Sequence, residues 1–502
     1  MTASISAQDA RRAARNAGAL ATASILSKGV LFVWQLVLAR AIGEAAYGVY
    51  GTVGAFIAIG TAVVNFGMGP IVIRDVARAP QHTGKYLTAT LIMQSVLAVL
   101  AYGLVNGAAA LGGYDASIRG LLALAAVSLL VDVLGNMTND LLLAQERMRA
   151  SAAVSVGHIL VLITLAGVAL LAGQGLVGVY VATLAAGGLR ALVLWGLVLR
   201  GGVRPAWPFD RQIAGPLLRN GAPLAVSAFL SLAYQHADKL ITTRFVGTVQ
   251  TGHLTAAFVV IFGVIELLNT TILIATYPMM SRYHEAGQGE TFGFIVEKLV
   301  FFTLLISLPL ALVLSIFAAD ITVPLFGADF RPAADALRIL IWYAAAAMTV
   351  ATLAQAMVVQ NRQRTLLVLR TIGLGINIAL DFLLIPVLTI TGAALASLTA
   401  ESLILLLLVS RFQAAGWDWR RMIPRLLRLA ILTGLVGLAM ALLGTLHPLL
   451  GMIGGPLLYA AGLIVAQVLA PDDWDLLYRL AAAMPGGTLI RRFWHRDVTL
   501  NW

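Results

Sequence analysis

The sequence predicts an all-α polytopic membrane protein of about 14 transmembrane helices, arranged as two six-helix lobes in a parallel internal repeat around a central cleft, plus a C-terminal helix pair. Three observations predict it. Of 502 residues, 60% are hydrophobic and only 11% are charged, with a mean hydropathy of +0.90, so the charged faces that would cover a soluble core are missing. Apolar runs of about 20 residues, each able to cross ~30 Å of hydrocarbon, recur from end to end. The third observation is a repeat at constant offset, described below.

Residues 1–16 carry Arg11, Arg12 and Arg15 and read as a cytoplasmic N-terminus. They resemble the start of a signal sequence, but the apolar stretch behind them runs to about residue 40 and contains Lys28 and Gln35, which marks a retained first helix. Bounded by Gly, Pro and charge, spans follow at about 17–40, 47–70, 86–111, 117–143, 152–173, 175–199, 216–246, 251–277, 293–319, 333–359, 365–388, 391–412, 424–445 and 448–470. The first lobe is therefore 17–199 and the inter-lobe linker 200–215; the second lobe is 216–412, spans 13 and 14 fill 413–470, and an amphipathic cytoplasmic tail occupies 471–502.

Charge orients the bundle. Arg74, Arg78, Lys85, Arg147, Arg149, Arg200, Arg204, Arg211, Arg219, Arg362, Arg364, Arg411, Arg420 and Arg421 fall in alternate connections, whereas the others carry only Arg40, Arg119, Arg244, Arg331 and Arg338. The positive-inside rule then puts both termini in the cytoplasm. The net charge of +11 lies in these short loops and forms no stripe, so it speaks for topology and against a nucleic-acid partner. The chain has no Cys, which excludes disulfides and thiolate chemistry. No connection is much longer than about 20 residues, so an extramembrane catalytic domain has no room and a glycan polymerase or ligase with a long outer catalytic loop is disfavoured.

The repeat is seen by setting "LVLARAIGEAAYGVYG" at 36–51 beside "LITTRFVGTVQTGHLT" at 240–255. Leu36/Leu240, Arg40/Arg244, Gly43/Gly247 and Gly48/Gly252 match at one offset of 204, and Ile57/Ile261 and Asn65/Asn269 keep it. Gln145/Gln360 and Arg147/Arg362 match at 215. Copies six spans apart enter the membrane from the same side, which gives parallel repeats with a cleft between them.

These stretches, with "NFGMGPIVIRDVAR" after the second span and "ADKLITTRFVG" in the seventh, resemble the polysaccharide transporter branch, the Wzx-like oligosaccharide-lipid flippases, of the multidrug/oligosaccharidyl-lipid/polysaccharide (MOP) superfamily. The resemblance covers nearly the whole chain. It implies two six-helix lobes that open alternately to either side, moving a polyprenyl-diphosphate-linked glycan across a bacterial inner membrane. It also implies a monomer among membrane lipids and other glycan-assembly proteins, with no cofactor beyond a sodium ion or proton as coupling ion. The Arg-rich first two spans of the lipid II flippase branch have no good match, which makes that substrate the alternative, beside a small-molecule or drug cation antiporter of the same fold.

Charges inside the membrane are costly, ~2.5–3.5 kcal/mol each at the centre, so each needs a partner or water. Lys28 shares a helix face with Ser24 and Gln35 and reads either as a cleft cation for the diphosphate or as a snorkelling side chain. Arg40 and Arg244, equivalent in the repeat, stand at outer helix ends, where they would receive phosphate or anchor the helices. In span 7, Ser227, Ser231, Gln235, Asp238 and Thr242 form one stripe, and Lys239 borders it from about 100° away. Span 11 offers Asn377 and Asp381 at i, i+4, and span 12 offers Ser397, Thr399 and Glu401. By the resemblance, Asp238, Asn377, Asp381 and Ser397 take up a coupling cation; two carboxylates, an amide oxygen and a hydroxyl suit sodium, and a buried hydrogen-bond network is the competing reading. Glu266 lies on the part of span 8 expected to line the cleft, Asp132, Asp140 and Arg190 read as partners within the first lobe, and His158 and His236 read as core histidines. "NMT" at 136, "NTT" at 269 and "DWD" at 473–475 read as chance matches to glycosylation and sugar-nucleotide motifs, and "RRFWHR" in the tail as an interface anchor.

Overall fold

The computed structural model describes residues 7–470 and 472–474, with side chains from residue 24 on, apart from 267, 269–272, 274, 275 and 419. Asn269 and its sequon, the side chains of Arg11, Arg12 and Arg15, Asp475 and the "RRFWHR" segment lie outside the described residues. The described chain is helical throughout: α1 (Ala7–Asn65), α2 (Met68–Arg78), α3 (Thr83–Leu111), α4 (Ala116–Ala125), α5 (Ser128–Ala144), α6 (Met148–Leu171), α7 (Gly175–Arg200), α8 (Arg211–Val246), α9 (Thr248–Glu285), α10 (Gly289–Ile316), α11 (Ala318–Phe326), α12 (Ala333–Val359), α13 (Gln363–Arg411), α14 (Trp419–Leu446) and α15 (Pro448–Val465).

Among the described residues, 11 stretches are long and apolar enough to cross a membrane. Two of them hold two passes each. The 59 residues of α1 would reach about 88 Å if straight, far more than a bilayer. Instead the chain reverses at Gly43 (φ 76°, ψ 170°), and Gln35 before the bend meets Tyr47 and Tyr50 after it, at 3.0 and 3.2 Å. α13 reverses at Thr389 (φ 55°, ψ −131°), where its first limb meets its second: a Cβ on Gly373 would fall 2.2 Å from Ile404. The long α8 carries too many polar residues to register by composition; with it the passes come to 14. Span 4 is broken into α4 and α5 at residues 126–127.

The chain forms two compact units. The first takes residues up to Val264 with Ile321–Tyr343 and Arg364–Ile404; the second takes Ile265–Asp320, Ala344–Gln363 and residues from Leu405 on. This division cuts across the lobes expected at 17–199 and 216–412, because repeat-related helices of both halves pack tightly in the first unit. A Cβ on Gly48 would lie 1.7 Å from the Thr248 carbonyl oxygen, and one on Gly252 would lie 2.0 Å from that of Glu44. Glu44 and Thr248 are themselves related by the 204-residue offset, as are Gly43 and Gly247, both in the left-handed φ region (76° and 96°) with ψ near 170° (170° and 175°) that favours glycine. The internal repeat is therefore geometric as well as textual.

The capped start of α8 lies five residues before the expected span. α8 begins at Arg211 and not 216, because Asp210 caps it: Oδ1 accepts from Gln212 N at 2.9 Å, and Lys85 Nζ donates to Oδ2 at 3.1 Å. The linker shrinks to 201–210 and is held by Ala206 N donating to Gly84 O at 3.1 Å. In the second unit, the described start of the 471–502 stretch packs inward at Asp473. Asp473 is fully buried, accepts from Lys298 Nζ of α10 and from Ala470 N (2.8 Å), and has Arg425 of α14 at 3.9 Å, so the end of the α14–α15 pair is clamped to α10.

Candidate ion and substrate site

α8 in the first unit presents Ser231, Tyr234 and Asp238 at i, i+3, i+7, hence on one face. That face meets both limbs of α13. Arg370 Nη1 donates to Ser231 Oγ (2.8 Å), Tyr234 OH to Glu401 Oε2 (2.7 Å), and Ser397 Oγ to Asp238 Oδ2 (2.7 Å). Phe245 and Phe382 close the seam edge-on at 5.6 Å. Of these contacts, the meeting of Asp238 with Ser397 is the one expected from the sequence; Arg370 and Tyr234 were not singled out. The signal for Tyr234 was present in the i, i+3, i+7 spacing, but Arg370 lies in the first turns of α13 just behind Arg362 and Arg364, whose charge reads as a topology signal.

At the end of the seam, Asp238, Asn377 and Asp381 are 1%, 1% and 0% exposed. Asp381 stands close enough to Asp238 for the two to interact. With both carboxylates ionised, Asp238 Oδ1 and both Asp381 oxygens face each other with no donor among the described residues, and both amide atoms of Asn377 and the neighbouring hydroxyl of Thr242 lack a partner there too. A buried polar group left unpaired costs ~1–3 kcal/mol, and an unpaired carboxylate far more. Two adjacent buried carboxylates with orphaned oxygens, an amide oxygen and hydroxyls form a set of hard donors that fits a small monovalent cation. Among the described residues no three His, Cys, Asp or Glu side chains cluster as a transition-metal site would need.

The cationic candidates are not gathered in one place. Lys239 is 7% exposed, and its Nζ lies over Phe258 (5.6 Å) and Phe262 (6.0 Å), two stacked rings of α9. Arg40 is exposed and donates to the Pro324 carbonyl at the end of α11, while Arg244 packs against Gly113 in the α3–α4 turn. Lys28 is exposed on the first limb of α1, Gln35 is spent on Tyr47 and Tyr50, and Glu266 is half-buried in the second unit. His158 Nδ1 contacts the Ala186 carbonyl at 3.3 Å, and His236 Nδ1 has no partner among the described residues.

Around the Gly48–Gly252 crossing a second polar set joins the repeat halves. The Thr52 and Thr243 hydroxyls are 2.5 Å apart and those of Thr243 and Thr251 2.7 Å. Tyr114 OH donates to the Leu240 carbonyl at 2.9 Å, and His253 Nε2 meets Glu44 Oε2 at 2.6 Å. All of these lie toward the end of α8 that carries Arg244, so that end of the first unit is closed.

The polysaccharide biosynthesis protein family matches residues 13–284, and the MatE family matches 223–383. No curated protein matches the sequence. Among solved structures, the chain resembles lipid II flippase MurJ in an inward closed conformation, with a TM-score of 0.71 and 16% identity over 89% of this chain and 98% of that one. It also resembles an inward-facing multidrug resistance MATE family transporter of the MOP superfamily (TM-score 0.62, 16% identity, 79% and 94%). A MOP superfamily transporter from Pyrococcus furiosus is similar too (0.55, 16%, 78% and 95%). At such identity these structures establish the fold alone.

Proposed function

The chain belongs to the polysaccharide biosynthesis protein family of the MOP superfamily, and from that premise we propose that it is an alternating-access flippase, moving a polyprenyl-diphosphate-linked oligosaccharide from the cytoplasmic to the outer leaflet of a bacterial inner membrane. The families it matches are transporters, and 14 membrane passes joined by short connections are machinery for translocation and not for covalent chemistry. The orientation rests on the Arg and Lys asymmetry of the loops, which puts both termini inside and the Gly48–Gly252 closure on the outer side.

One observation carries the coupling: the orphaned, fully buried oxygens of Asp238, Asn377 and Asp381 at the junction of α8 and α13. Sodium, bound there as co-substrate, would supply one of the two positive charges that two adjacent carboxylates in hydrocarbon require, beside the neighbouring Lys239 ammonium. Ser397 orients Asp238 through its 2.7 Å hydrogen bond. The seam then runs along α8 to Ser231 and the exposed Arg370, whose remaining N–H donors suit a phosphate. Ion binding at one end thus bears on α13, which carries both Asp381 and, further along, Arg370. A lipid II substrate is the second reading, favoured by the likeness to the lipid II flippase and opposed by first spans whose only cations are Lys28 and Arg40.

Deletion of the gene tests the flippase reading. Lipid-linked glycan should accumulate on the cytoplasmic leaflet while surface polysaccharide is lost; unchanged export with no such intermediate refutes the assignment.

A further inference from the structure

The first half of the chain holds a second polar cluster, half-buried and remote in sequence from Asp238. Asp132, Asn136 and Asp140 lie at i, i+4, i+8 on α5, hence on one face. Arg190 of α7 donates from Nη1 and Nη2 to Asn136 Oδ1, both at 3.1 Å, and faces Asp132 and Asp140 only as electrostatic neighbours. Neither carboxylate receives a hydrogen bond from a described residue. Two carboxylates against one guanidinium leave one negative charge uncompensated in the middle of a membrane-spanning lobe.

Beside Asp132 opens a cavity of about 240 Å³ between α1, α5, α6 and α7, lined by Ser128, Asp132, His158, Tyr180 and Thr183. Tyr180 is 5% exposed and its hydroxyl, on the cavity wall, has no hydrogen-bond partner among the described residues. His158 directs Nδ1 at the Ala186 carbonyl (3.3 Å), which makes Nδ1 the donor and leaves the Nε2 lone pair to accept a proton. The α4–α5 break contributes as well: the Leu129 N–H bonds Ala126 O at 3.0 Å in place of Ala125 O, freeing the carbonyl of Ala125, another lining residue.

We propose that this cavity is a proton-binding site, with Asp132 the carboxylate that takes up the proton and His158 and Tyr180 its hydrogen-bonding neighbours, separate from the cation seat at Asp238. A single proton, on Asp132 or shared with His158, brings the cluster to neutrality. The other groups facing it are the Tyr50 hydroxyl from α1, Thr183 and Arg190 from α7, and Asp140 from α5; α2 presents Gly69, where a Cβ would come within 2.8 Å of Asp140. The hydroxyls and the volume suit water that carries the proton in, and two carboxylates already sharing an arginine leave little field for a metal cation.

Infrared difference spectroscopy on the full-length protein in lipid nanodiscs, acidified in sodium-free buffer, reads this directly. Acidification should raise protonated-carboxyl C=O absorption with one component that Asp132→Asn removes and Asp381→Asn retains, and His158→Gln should shift that component. If Asp132→Asn does not fold, Asp132→Glu must move the same component. Absorption unaffected by either Asp132 substitution overturns the proposal. So does calorimetry in which sodium chloride alone gives a binding event lost in Asp132→Asn and kept in Asp381→Asn, because the occupant is then sodium.

Discussion

Replacing Gly48 by Ala tests whether the closure of the first unit depends on direct backbone contact between repeat-related helices. The new Cβ would sit 1.7 Å from the Thr248 carbonyl oxygen and 2.8 Å from Gly252 N. Ordinary contact is ~3.5 Å, so α9 must retreat by about 1.8 Å, and the groups in the way are backbone that no rotamer change can clear. Overpacking of this kind costs ~1–3 kcal/mol, which lowers the closed-to-open ratio about 5- to 150-fold. The 2.5 Å approach of the Thr52 and Thr243 hydroxyls would open with it. Because the chain has no native Cys, Thr52→Cys with Thr243→Cys forms a clean reporter: the pair should crosslink readily under mild oxidant. Adding Gly48→Ala should lower the yield, while Gly103→Ala, where a Cβ meets nothing within 4 Å, should leave it intact. Equal yields in the Gly48→Ala and Gly103→Ala backgrounds would refute the reasoning.

Asp473→Ala leaves the Lys298 ammonium buried without its partner and should destabilise the protein by ~3–5 kcal/mol, seen as a lower melting temperature that Lys298→Met with Asp473→Leu largely recovers. Tyr234→Phe removes the 2.7 Å hydrogen bond to buried Glu401 and should cost ~1–3 kcal/mol in thermal unfolding, with less loss in a Glu401→Gln background. The Lys85 ammonium, then the Gln212 N–H, hold the exposed Asp210 carboxyl below its ordinary range. A lowered folded-state value means the helix cap contributes fully above about pH 4 and is lost as pH falls through that lowered value, so melting temperature against pH should flatten at its acid end in Asp210→Asn.

The transmembrane passes were legible because each is a local property: about 20 apolar residues and a punctuating charge or glycine suffice. The repeat was legible too, and its four glycines proved to mark two matching bends and one crossing, since close approach of backbones demands the smallest residue. The resemblance to the family singles out Asp238, Asn377, Asp381 and Ser397; helical spacing adds only that Asn377 and Asp381 share a face, and the structure brings Ser397 to within 2.7 Å of Asp238. What stayed hidden depends on long-range packing. Nothing near Lys239 in sequence announces that Phe258 and Phe262 roof it, and Gln35, on a polar stripe with Lys28, turns to tyrosines beyond a bend that the stripe does not foresee. The burial of Asp473 is likewise decided by a contact remote in sequence, with Lys298 of α10.

The central claim, translocation of an anionic lipid-linked glycan coupled to a cation at Asp238 and Asp381, is met most directly by transport in proteoliposomes. With a fluorescent polyprenyl-diphosphate oligosaccharide in the membrane and a sodium gradient across it, the wild-type protein should move the label between leaflets faster than without the gradient. Asp381→Asn should fold and insert normally yet lose that dependence, and equal sodium-driven rates in the two proteins would contradict the account.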